Sequence, residues 1–252
     1  MILKPLIILT LTMGWMRRRT GEMGSHREVR YSEDHWKLLE VLQTRATRTM
    51  ERLEDNGIES LAFGSVARGD VTSNSDIDLF LTQRIPSFRI ELCVEETDVI
   101  ARVITQATPF SLIKGHLKLT GEIDVSFPLI EPTDSEIDFH FFAGAITTRE
   151  LHRGERKTGV DKRLIRIRPT EEGHIEDPIT DVSSGVLARE IGVSQRIVDE
   201  RRRVLTRRSK VGITGIHLER RLASFESFED VLCDLVNRDA ALRRCVHQRG
   251  GL

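Results

Sequence analysis

The sequence predicts an α+β fold, with helices and strands interleaved at first and a smaller, mainly helical part at the end. Three observations predict it. Residues 32 to 57 place Leu39, Leu42, Ala46, Met50 and Leu53 three and four apart, the stripe of an amphipathic helix. Short strand-like runs follow at 58–63, 76–82 and 116–127. From about residue 183 the apolar spacing is helical to the end.

Ser32 can cap the first helix, and Asn56-Gly57 tolerates the left-handed conformation that ends one. "IESLAF" at 58–63 reads as a strand and "DIDLFLT" at 76–82 as a second. The segment after Pro86 looks helical, and 98–105 fits either a helix or a strand. Residues 116–127 read as strand with a bulge or turn at Thr120-Gly121, ended by Pro128 and Pro132. Residues 135–142 suit a strand or a short helix. "RLIRIR" at 163–168 reads as a half-exposed strand, and "PTEEGHIEDP" after it as a loop at a domain boundary.

With 252 residues, 39% hydrophobic and 31% charged, the chain can bury a core and is not a disordered composition. A net charge of −1 singles out no nucleic-acid or membrane partner. Charge is nonetheless concentrated locally: Arg196 to Lys210 holds seven basic residues against Asp199 and Glu200. Cys93, Cys233 and Cys245 form no CxxC pair, which argues for reduced thiols in the cytoplasm and against a zinc site or disulfide framework. The apolar start, "MILKPLIILTLTMGW", is too short to span a bilayer and lacks the layout of a signal peptide. It reads as a membrane-surface anchor, a buried strand, or an extension with Met13, Met16 or Met23 as the true start, the last being favoured. No stable membrane association is expected.

The stretch "GSVARGDVTSNSDID", residues 64–78, carries the chemistry. On a strand, Asp76 and Asp78 project to one face while Ile77, Leu79 and Leu81 face a core. Adjacent carboxylates repel, and a divalent cation removes that penalty. Mg²⁺ suits one or two carboxylates plus phosphate oxygens and water. Gly64-Ser65, at the end of a strand, lets backbone N–H groups approach a phosphate. Gly69 permits the return turn, and Ser75 can brace the loop through its hydroxyl. Arg68 is placed either to reach a phosphate or to sit solvated in the loop.

The pattern hGSxxxGxxxxxSDxD at Gly64, Ser65, Gly69, Ser75, Asp76 and Asp78 resembles the signature of the DNA polymerase β-like nucleotidyltransferase superfamily. Its five most restrictive positions would coincide by chance on the order of once in a million starts. The resemblance implies a mixed sheet flanked by helices. It also implies a third carboxylate on a neighbouring strand: Asp124 in "GEIDVSFPL" is preferred, with Asp138 in "SEIDFHFF" as the rival. It further implies Mg²⁺ (or Mn²⁺) held by Asp76, Asp78 and Asp124, a triphosphate held at Gly64, Ser65, Arg68, Gly69 and Ser75, and transfer of NMP from an NTP, ATP first, to a hydroxyl. The longer stretches "GVDKRLIRIRPTEEGH" and "IGVSQRIVDERRRVLTRR" are similar to a group of mainly archaeal predicted nucleotidyltransferases.

"VLAREIGVSQRIVDERRRVLTRR" has the spacing of a helix-turn-helix, with Gly192 in the turn and Ile197, Val198, Val204 and Leu205 toward a core. It resembles winged-helix and other helix-turn-helix domains, which would let residues 188–210 meet nucleic acid. A helical packing domain with a solvated arginine face is the rival. Ser227 with Asp230 can open a last helix striped by Phe228, Val231, Leu232 and Leu235, expected as core or dimer contact. His140 and His174 are given no role.

The expected organisation is an N-terminal extension at 1–30, a nucleotidyltransferase domain at 31–145, a connecting segment at 146–178 and a helix-turn-helix-like domain at 179–252. The expected function is a nucleotidyltransferase. The alternative is a nucleic-acid-binding regulator whose nucleotidyltransferase fold senses nucleotide or is inactive.

Overall fold

A computed structural model describes residues 26–212 and 215–251. The readings of the apolar start and of Met13, Met16 and Met23 fall outside the described residues.

In chain order the elements are β1 (Arg27–Arg30), α1 (Glu33–Glu54), β2 (Leu61–Phe63), α2 (Ser65–Arg68), β3 (Ile77–Phe80), α3 (Ser87–Glu91), β4 (Val99–Gln106), β5 (Ile113–Leu119), β6 (Ile123–Pro128) and α4 (Asp134–Phe142). They continue as β7 (Ala145–Ile146), α5 (Thr148–His152), β8 (Gly159–Val160), β9 (Ile165–Thr170), β10 (Gly173–Pro178), α6 (Ser184–Ile191), α7 (Gln195–Val211), β11 (Leu218–Arg221), α8 (Phe228–Arg238) and α9 (Ala240–His247). Two ambiguous stretches are resolved: 98–105 is strand β4, and 135–142 is helix α4. A complete capping box fixes the start of α4, with Thr133 and Glu136 bonding each other's backbone N–H groups.

The larger sheet runs β11-β4-β5-β6-β3-β2-β7. It is mixed: β3 and β6 pair in parallel, and every other neighbour is antiparallel. Its core holds the α1 stripe of Leu39, Leu42, Ala46, Met50 and Leu53 together with Ile77, Leu79, Val125 and Phe127 from the strands. The helix begins as expected, Ser32 Oγ accepting from the His35 N–H. Thr120-Gly121 proves to be a turn, so residues 113–128 are two strands of a hairpin and not one bulged strand.

The smaller sheet, β1-β10-β9-β8, is antiparallel throughout. Three expectations are corrected here. Residues 27–30, expected within an extension, pair with β10. "PTEEGHIEDP", expected as a loop, forms the end of β9, a turn and β10, because Glu171-Glu172 supply the turn while the flanking residues pair. The segment 146–178 is therefore not a mere connector: Val160 and Leu164 share a second core with Leu187, Ile197, Val198 and Leu205 of α6 and α7.

A fourth correction concerns the end of the chain. α6 and α7 meet at Gly192, with Ile197, Val198 and Leu205 buried as expected and Val204 only half-buried. The helical region does not continue as one unit to 252, however. β11 pairs with the edge strand β4, and Phe228, Leu232, Leu242 and Val246 of α8 and α9 join the first core. Phe228 meets Phe127 edge-on at 5.0 Å, and Glu229 accepts from both the Ser87 N–H and hydroxyl at 2.7 and 2.6 Å. Helical spacing shows that a face must be buried; it does not encode which core buries it. Among the described residues no helix is long and apolar enough to cross a membrane. All three cysteines are free thiols.

Candidate active site

The centre of the larger sheet gathers the acidic residues. β2 delivers Phe63 opposite Asp78, and β3 delivers Asp78 opposite Asp124 of the parallel strand β6. Asp76 immediately precedes β3 and is exposed. Ile77 and Leu79 are fully buried beneath them, so the apolar alternation fixes which way the carboxylates turn. The rival, Asp138, lies elsewhere: its Oδ2 accepts from the Ser194 N–H at 3.0 Å, tying α4 to the start of α7.

Asp78 is the strained member of the group. Burial first, then repulsion from Asp76 and Asp124, pushes its carboxyl up to about 6, against the pull of Lys162 and Lys118. Asp124 behaves oppositely. Burial alone would raise it, but His116 and Lys118 outweigh that and hold it below the usual carboxylate range. His116 Nδ1 sits 3.0 Å from Asp124 Oδ2, and Lys118 Nζ donates to the same oxygen at 2.5 Å. The other His116 nitrogen lies 2.9 Å from the Thr105 hydroxyl, so a neutral ring can donate to Asp124 and accept from Thr105. Lys114, two residues before His116 on β5, is held below the usual lysine range by burial, with Asp124 and Asp78 opposing that shift.

These three β5 residues are absent from the motif and were missed in the sequence. The signal available is their alternation: Lys114, His116 and Lys118 interleave with Gly115, Leu117 and Leu119, and the hairpin sets them beside Asp124.

The loop between β2 and β3 forms the other half. Gly64, at φ +82°, opens α2, and its N–H donates to Gly144 O at 2.9 Å. Ser65 Oγ donates to Ser75 Oγ at 3.3 Å, and Ser75 Oγ accepts from the Thr72 N–H at 2.9 Å. Gly69 needs to be glycine twice over. Its φ is +99°, and a Cβ there would come within 2.8 Å of Arg156 Cδ. Arg68 departs from the phosphate-reaching expectation. Its Nε and Nη2 each donate to Asp70 at 3.0 Å, and its Nη1 donates to Ala143 O at 2.6 Å. With its side chain 7% exposed, it braces the loop against the end of α4.

The two halves face a cleft of about 770 Å³. Gly64, Ser65, Asp76 and Asp78 line it, as do Lys162, from the turn before β9, and Arg201 and Arg208, from α7.

Among the described residues no group of three or more His, Cys, Asp and Glu side chains is drawn together as a ready-made metal cage. The donor chemistry still fits a hard divalent cation. Asp76 and Asp78 offer carboxylate oxygens, and the repulsion that lifts Asp78 is what a cation relieves.

His140 and His174, left without a role, are packing residues. His140 stacks on Phe80 at 3.6 Å, with both ring nitrogens buried and unpartnered, and is held well below the usual histidine range, first by burial. His174 Nδ1 meets Tyr31 Oη at 2.7 Å.

A mixed sheet carrying in-register aspartates on its central parallel pair, with a Gly-Ser turn alongside, is an arrangement consistent with a nucleotidyltransferase core. Residues 45–143 match the family model for the nucleotidyltransferase domain. No curated protein and no solved structure matches the chain.

Proposed function

We infer that the protein is a divalent-cation-dependent transferase moving NMP from an NTP, ATP first, to a hydroxyl acceptor, with pyrophosphate leaving, in the cytoplasm. The observation that carries this reading is the pairing of Asp78 with Asp124 across β3 and β6, with Asp76 two residues away and the Gly64-Ser65 turn on the same cleft. Asp76 and Asp78 would hold Mg²⁺ or Mn²⁺, with Asp124 as the third ligand. The ions, when bound, would neutralise the triphosphate and lower the pKa of the acceptor hydroxyl.

The chain's own residues supply the rest. Asp124, kept anionic by His116 and Lys118, is the group suited to take the acceptor's proton once the exposed Lys118 ammonium swings aside. Gly64 and Ser65 receive the triphosphate, Gly69 and Ser75 hold the loop's turn, and Arg68 keeps that loop on α4 from behind. Incubation with labelled ATP, Mg²⁺ and cell extract should yield a labelled product that Asp76→Ala and Asp78→Ala abolish. An absence of transfer with every NTP would sink the reading.

A second reading, a nucleic-acid-binding regulator with a sensing or inactive nucleotidyltransferase fold, is favoured by the α6–α7 pair and the exposed Arg203 and Arg207 on it. Tight, salt-dependent DNA binding without any transfer would support it.

A further inference from the structure

The seven basic residues from Arg196 to Lys210 do not form one face. Arg202 is turned into the fold, donating to the Ile179 and Val182 carbonyls and, at 3.0 Å, to Ser184 Oγ. Arg203 and Arg207 are exposed. Arg201 and Arg208, seven residues apart and so on one side of α7, line the same cleft as Asp76 and Asp78.

The cleft's cations and anions are unevenly matched. Asp161 and Glu176 are taken by Arg163, at 2.5 and 2.8 Å, and Asp70 is taken by Arg68. Lys162, Arg201 and Arg208 have no ion pair or side-chain hydrogen bond among the described residues. The Arg201 guanidinium lies 4.7 Å from the centre of the Phe139 ring, and its Nε is buried with no partner. Burial first, then repulsion from Arg208, pushes it down to about 10, with Glu200 opposing. A half-buried guanidinium without an ion pair, beside a second one, is costly unless an anion joins them. Guanidinium forks fit phosphate oxygens best, and they sit here in a cavity with room for a nucleotide.

We propose that Lys162, Arg201 and Arg208 form a phosphate-binding subsite in the cleft that the carboxylates also line. The proposal deepens the transferase reading and rests on it for its meaning, though the subsite's existence can be tested without it. Two sources share this chemistry: the polyphosphate tail of the NTP, and a phosphate carried by the acceptor. Either makes α7 a part of the transfer site, with Arg201 and Arg208 on the cleft.

The test is calorimetric titration of the full chain in EDTA, with no turnover. The probes are inorganic tripolyphosphate, ATP, and a dinucleotide with and without a 5′-phosphate. Because Arg201→Gln can disturb the second core, the exposed Arg208→Gln and Lys162→Gln are the deciding variants. Each is expected to weaken at least one phosphate-bearing probe about tenfold, and the two together about a hundredfold. Parallel losses for tripolyphosphate and ATP identify the triphosphate tail. Loss for the 5′-phosphorylated dinucleotide alone, with ATP unchanged, identifies the acceptor. Unchanged binding in both variants, or no binding of any probe by the unaltered protein, overturns the proposal. Asp76→Ala/Asp78→Ala separates the two readings: it is expected to retain tripolyphosphate binding even if no acceptor is ever labelled.

Discussion

Asp78 and Asp124 are register partners on adjacent parallel strands, yet their carboxyls are driven in opposite directions. Asp78 has mainly burial and like charge around it. Asp124 has an imidazole and an ammonium. One sheet position thus holds a carboxylate short of positive charge beside one amply supplied.

The first prediction is a pH effect. The folded Asp78 carboxyl titrates at about 6 against 3.8 ordinarily. Between those values the folded state binds more protons than the unfolded one, so stability falls as pH rises through the window and the penalty is complete above it. The cost at neutral pH is on the order of 1–3 kcal/mol. Asp78→Asn should therefore raise the thermal midpoint at pH 7.5, leave it nearly unchanged at pH 4, and abolish transfer. Equal shifts at both pH values would refute the strained carboxylate.

Divalent cation should act on the same group. Adding Mg²⁺ at pH 7.5 is expected to raise the midpoint of the unaltered protein more than that of Asp78→Asn. The same titration at pH 4 should show little effect, because the carboxyl is then protonated.

His116 is a positioning residue for Asp124. His116→Ala is expected to lower kcat about 10- to 100-fold with little change in KM for ATP. It should also move the acidic limb of the kcat profile upward, since a hydrogen bond that keeps Asp124 ionised is lost. His116→Asn, which can still donate, should restore part of both. A fall in kcat with an unmoved pH profile would reduce His116 to packing.

Arg68 should matter for folding more than for affinity. Removing it leaves the half-buried Asp70 without its partner, at a cost of about 1–3 kcal/mol. Urea denaturation of Arg68→Ala checks this, and an unchanged midpoint would return Arg68 to the role of an exposed phosphate ligand.

The last helices should be indispensable to the larger sheet. Phe228→Ala, which empties a fully buried ring site against Phe127, is expected to cost about 3–5 kcal/mol. Ending the chain after residue 212 should leave the outer edge of β4 unpaired and the larger sheet insoluble.

The motif was legible because its physics is local. Asp76 and Asp78 declare themselves by two-residue spacing over buried Ile77 and Leu79, and Asp124 by the same alternation. What escaped depends on distant pairing. His116 and Lys118 matter only because a hairpin turn at Thr120-Gly121 lays them beside Asp124. Arg68 looked free because nothing in "VARGD" shows Asp70 folding back onto it while Ala143 closes from the far side. The fates of α8 and α9 escaped for the same reason: periodicity marks a sticky face, and only the open edge of β4 selects where it adheres.

The pairing of β11 with β4 also sets an order of events during synthesis. The sheet's central strands are made early, but its edge is completed only by residues 218–221, and its floor by 228–247. At roughly 5–20 residues per second, the ribosome spends several seconds with β4 exposed and uncovered. The nascent chain makes α6 and α7 in that interval, so the basic helix emerges before the carboxylates have a finished sheet behind them. A truncated translation product would carry the whole GSxxxGxxxxxSDxD signature and still lack the platform on which it works.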